Sequence, residues 1–109
     1  MTGEQLKLLA KMKRLILEGK WKFLVRKDRN HLQELVDIGI TEKEAWNEIL
    51  SLSNIHYYHD YKPFYSKHGY YALTFKKEIN RQLVYIKLKI EKEKNNELAV
   101  CLSFHVDYK

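Results

Sequence analysis

Towards the end of the chain, hydrophobic and polar residues alternate almost one for one. Val84, Ile86, Leu88 and Ile90 share one parity, and Leu98, Val100, Leu102, Phe104 and Val106 share one parity of a second run. Alternation with a period of two marks strands that rest one face on a core. Between them, Lys92-Glu93-Lys94-Asn95-Asn96 predicts a turn in which asparagine takes the positive φ. In the antiparallel hairpin this implies, Tyr85, Lys87 and Lys89 lie across from Cys101, Ser103 and His105, because opposed residues project to the same side. One face is therefore apolar, and the other carries a phenol, two ammoniums and an imidazole. A hairpin with an ordinary solvated lysine face has the same pattern, so periodicity alone leaves both readings open.

Earlier in the chain the spacing turns helical. Leu6, Leu9, Met12, Leu15 and Ile16 form a stripe over Thr2–Glu18, with Gly19 placed to end the helix. The short β-prone run Trp21–Val25 predicts an edge strand. Asp28 or Asn30 then caps a second helix with Leu32, Leu35 and Val36 on its inner side and Gly39 after its end. Thr41 and Glu44 have the spacing of a capping box, opening a third helix that buries Ala45, Trp46, Ile49 and Leu50. Residues 55–71 hold six of the eight tyrosines with Pro63 and Gly69, which predicts a loop. Tyr71–Ile79 reads as a strand, and Asn80-Arg81 as a two-residue turn. If Ile79 pairs with Gln82, Thr74 and Lys76 join the Tyr85 face; a bulge would present Lys77 there instead. Helices first and an antiparallel meander after them predict an α+β fold of two layers.

Composition narrows the function classes. A chain of 109 residues that is 45% hydrophobic and 31% charged is expected to fold as one domain, 1–109, rather than to remain disordered. No apolar run nears the ~20 residues of a membrane span and no signal-peptide core is evident, so no membrane partner is expected and the cytoplasm is the expected location. The one cysteine, Cys101, allows no internal disulfide. A formal net charge of +6 favours an anionic partner. A DNA-reading helix-turn-helix is excluded because the third helix exposes Glu42, Glu44 and Glu48, which repel phosphate. In the tyrosine-rich stretch, histidines with Asp60 lack metal-ligand spacing. Its rings, interleaved with Lys62 and Lys67, suit single-stranded RNA, or else they pack over the core.

The ordered set Leu35–Ala45, Ile49–Leu52, Tyr57-Tyr58, Phe75–Asn80, Val84–Leu88 and Cys101–His105 resembles the MqsR family of bacterial toxins, mRNA interferases of the RelE-like fold. The resemblance runs from about Trp21 onward. It implies helices packed on a C-terminal antiparallel sheet. It also implies cleavage of mRNA without a metal or other cofactor, by attack of the ribose 2′-hydroxyl on the adjacent phosphodiester, and control by a cognate antitoxin protein, with no DNA bound by the chain alone. By position, Tyr85 matches a functional tyrosine of the family. His105 and His59 stand where other members carry lysines, and Thr74 about where they use glutamine. The candidate catalytic residues are thus His59, Lys77, Tyr85, Lys87 and His105, with Tyr58, Lys62, Thr74, Lys76 and Lys89 as RNA contacts. An imidazole titrates near neutrality and can serve as base or acid there better than an ammonium.

Overall fold

Helix starts in this chain are set by side chains that accept from otherwise unpaired backbone amides. The computed structural model describes residues 1–25, 27, 29–61 and 72–107, without the side chains of residues 59–61. Helix α1, Gly3–Leu17, opens with a reciprocal pair between Thr2 and Gln5 and buries Leu9, Met12, Leu15 and Ile16, while Leu6 is left exposed. Strand β1, Trp21–Phe23, follows Gly19, whose φ of +78° suits a residue without a Cβ. Helix α2, His31–Ile38, is capped by Asn30, which accepts from the Leu32 and Gln33 amides; Asp28, the other expected cap, lies outside the described residues.

The inner face of α2 differs from expectation. Leu35 and Ile38 are buried, whereas Leu32 and Val36 are 55% and 66% exposed. The stripe that meets the sheet begins with His31, whose ring stacks on Phe23 at 4.6 Å, and continues at i+4 and i+7. A histidine in the first place hid that stripe from a search by hydrophobicity. Helix α3, Glu42–Leu50, has the expected capping box: the Glu44 amide donates to Thr41 Oγ1 and the Thr41 amide to Glu44 Oε1.

Four strands follow: β2, Tyr57–Tyr61, β3, Ala72–Ile79, β4, Gln82–Glu93, and β5, Asn96–Val106. Their order in the sheet is β1-β5-β4-β3-β2. Tyr57–Tyr61 was expected as loop; it pairs with β3 as an edge strand, and residues 62–71 lie outside the description. Strand β1 is the expected edge strand, but it runs parallel to β5, so the sheet is mixed. The Asn80-Arg81 turn has positive φ at both residues, as a two-residue hairpin requires. The β4–β5 reversal is tighter than expected: Glu93 pairs with Asn96, and the positive φ falls on Lys94 rather than on an asparagine.

Register decides what each sheet face carries. Lys76 pairs with Tyr85 and Lys77 with Val84, the bulge-free alternative. Between β4 and β5, Tyr85 pairs with His105 and Lys87 with Ser103, but the next pair is Leu88 with Cys101. Leu102 is the extra residue of a bulge, and one extra residue inverts parity beyond it. Ala99 and Cys101 therefore face the helices alongside Leu88 and Ile90, while Val100 and Leu102 join Ala72 in a small apolar cluster elsewhere. The expected single stripe of Leu98, Val100, Leu102, Phe104 and Val106 is thus split, and Cys101 leaves the polar face. The helices cover the core face, centred on Phe75, Val84, Ile86, Leu88 and Phe104.

Candidate functional site

The face turned away from the helices keeps its polar residues where the three central strands run in register. Tyr85 and His105 are directly opposed on β4 and β5, and their rings stack at 5.3 Å with 22° between planes. Opposed side chains in an antiparallel ladder stand close enough for rings to meet face to face. The imidazole Nδ1 lies 2.9 Å from the Val106 carbonyl oxygen. A carbonyl oxygen only accepts, so Nδ1 carries the proton, and the neutral ring keeps its lone pair on Nε2.

On the other side of Tyr85, Lys76 places its ammonium 2.8 Å from Asp107 Oδ2 and 4.1 Å above the centre of the Tyr58 ring. The hydrogen bond to Asp107 holds the lysine pKa above its ordinary 10.5 against the opposing effect of desolvation, so Lys76 is a fixed cation at neutral pH. These side chains, with Arg29 and Ser103, line an open groove of about 320 Å³.

The groove brings together four of the expected residues: Tyr58, Lys76, Tyr85 and His105. Lys87 sits one pair further along β4, between Thr74 and Ser103 in register. Thr74 is fully buried, and its hydroxyl has no hydrogen-bond partner among the described residues. Lys77, expected among the catalytic groups, is on the helix side: it is 2.7 Å from Glu48 and donates to Ser51 Oγ. Regular pairing at Val84 sends it there, and Lys76 takes its place on the open face. Lys89 has the expected parity but is 8% exposed and paired to Glu91 at 3.3 Å, so a phosphate cannot readily reach it. The backbone of His59 pairs with Thr74, but its side chain, like Lys62, lies outside the description.

Three lining residues were not among the candidate site residues, although Ser103 was expected on this face. Asp107 and Ser103 share the parity of His105 and were findable on that ground. Arg29 stands in a charged connection between β1 and α2 with no periodicity to single it out. Among the described residues, no group of three or more His, Cys, Asp and Glu could hold a metal ion, and no helix is long and apolar enough to cross a membrane.

Comparison with known proteins gives one family: the model described as motility quorum-sensing regulator, toxin of MqsA, matches residues 6–106. No curated protein matches the chain.

Proposed function

The chain belongs to the MqsR toxin family, and from that premise we propose that it is a metal-independent endoribonuclease that cleaves mRNA and is held in check by a cognate antitoxin protein. The family makes it a toxin of a toxin–antitoxin system; the chemistry is our reading of the groove. The observation that carries it is the stacked Tyr85–His105 pair beside the fixed ammonium of Lys76. Strand cleavage by a 2′-hydroxyl needs a base for that hydroxyl, positive charge for the phosphorane and an acid for the leaving oxygen.

His105 Nε2 takes the 2′-hydroxyl proton. The 2′-oxygen then bonds to phosphorus, the bond from phosphorus to the 5′-oxygen breaks, and the Tyr85 hydroxyl delivers a proton to the departing oxygen. The products are a 2′,3′-cyclic phosphate and a 5′-hydroxyl, and the imidazolium returns its proton to the phenolate. Lys87 and Lys76 supply positive charge along the sugar–phosphate chain, and the exposed Tyr58 ring offers a base a stacking surface. The step requires a 2′-hydroxyl, so DNA of the same sequence stays intact.

The test is purified protein on a long mixed-sequence RNA with excess EDTA, run on naked RNA and on translating ribosomes. Discrete fragments ending in cyclic phosphate are expected, with His105→Ala and Tyr85→Phe each slower by about 10²–10⁴-fold. Full cleavage by both variants overturns the assignment. Salt-dependent RNA binding without cleavage in any arm would make the protein a non-catalytic RNA-binding module instead.

A further inference from the structure

The groove's charges are not equivalent. Lys76 is matched by Asp107 at 2.8 Å and lies over the Tyr58 ring, so the positive charge it lends the groove is shared with a carboxylate. Lys87 does not line the groove, although it borders it. Arg29 lines it together with Tyr85, Ser103 and His105. Its ion pair among the described residues is with Glu34, at 3.7 Å from Nη1, beyond hydrogen-bond reach, and its side chain is 40% exposed. Glu34 thus attracts the guanidinium without bonding it, and among the described residues no hydrogen bond commits its N–H groups. The next residue, Asn30, caps α2 by accepting from the Leu32 and Gln33 amides, which places Arg29 directly ahead of the helix.

We propose that Arg29 is the catalytic residue that grips the scissile phosphate, pairing two N–H groups with its non-bridging oxygens while His105 and Tyr85 move protons. A planar guanidinium matches two phosphate oxygens at once, which a lysine ammonium does not. Glu34 is a positioning residue: its carboxylate attracts the guanidinium at the groove from 3.7 Å, outside hydrogen-bond reach. The assignment rests on the ribonuclease reading above and adds a group from the connection ahead of α2 to a site otherwise built on strands.

The experiment compares the parent, Arg29→Gln, Arg29→Lys and His105→Ala on the same RNA, naked and on translating ribosomes, separating kcat from KM. Circular dichroism confirms folding of each. The expected result is a kcat loss of about a hundredfold or more in Arg29→Gln, with unchanged cleavage sites. Arg29→Lys recovers part of that loss, because charge returns without the paired geometry. If Arg29→Gln cleaves at the parent rate while His105→Ala does not, Arg29 is not the phosphate ligand and the ribonuclease reading stands. A raised KM at unchanged kcat also overturns the proposal, since it places Arg29 on a distant phosphate. No cleavage by the parent in either arm removes the ribonuclease reading and the role of Arg29 with it.

Discussion

His56 shows how a single side chain ties local folding to pH. It ends the short 3₁₀ turn Asn54–His56, where its Nδ1 accepts from the Ser53 amide at 3.0 Å. Burial, then the Lys77 ammonium, lower its pKa from the ordinary 6.5; Glu48 works in the opposite direction and Lys13 adds to the lowering. The folded state therefore binds fewer protons than the unfolded chain as pH falls below 6.5, and stability declines across that window. Asparagine can still accept from Ser53 but does not titrate, so His56→Asn should flatten the dependence of melting temperature on pH between pH 7.5 and 5. Equal slopes for parent and variant would show that His56 is not the group responsible. The nearby Lys77 belongs to this same network with Glu48 and Ser51. Its neighbour in sequence, Lys76, faces the groove, so one step along β3 separates a structural cation from a functional one.

At the scale of elements, the joint between α2 and α3 holds the helices against the β3–β4 turn. Gly39 ends α2 with φ +90°, and Asn80 donates to the carbonyls of Ile38 and Gly39 at 3.0 and 3.4 Å. A Cβ at Gly39 would lie 3.4 Å from Asn80 Nδ2, in addition to the strain of a left-handed φ. Gly39→Ala should therefore cost about 1–2 kcal/mol, read in urea as a lower midpoint at an unchanged slope. An unshifted midpoint would mean that the joint relaxes freely. The bulge at Leu102 decides what the open face carries, since without it Cys101 and not Leu102 would stand there next to Ser103. Alternation in the sequence is continuous through Leu98–Val106 and carries no sign of the inserted residue.

For the whole molecule, the net charge of +6 and a groove bordered by Arg29, Lys76 and Lys87 predict RNA affinity that depends on salt. With about three phosphate contacts, log affinity should fall against log salt with a slope of about −2, roughly fifteenfold between 50 and 200 mM. Filter binding of a 2′-O-methyl RNA, which has no free 2′-hydroxyl to attack, measures this without cleavage. An affinity indifferent to salt would exclude electrostatic capture.

The sequence by itself determined the elements whose cause is local. The Thr41–Glu44 capping box, the Asn80-Arg81 turn and the alternation from Val84 to Ile90 each depend on residues within a few positions of one another, and all appear as expected. It also marked Tyr85 and His105, because each alternates with the apolar residues of its own strand, Val84 and Ile86 or Phe104. Tertiary structure decided what depends on distant partners. Packing against Phe23 turned His31, Leu35 and Ile38 inward and left Leu32 and Val36 outside. Pairing with β3 drew Tyr57–Tyr61 into the sheet. The bulge reassigned Cys101, and the fold carried Arg29 to a groove whose other residues lie between Tyr58 and Asp107 in the chain. Local rules cannot reach such placements, because their free energy comes from burial and charge contacts made only once the layers have closed.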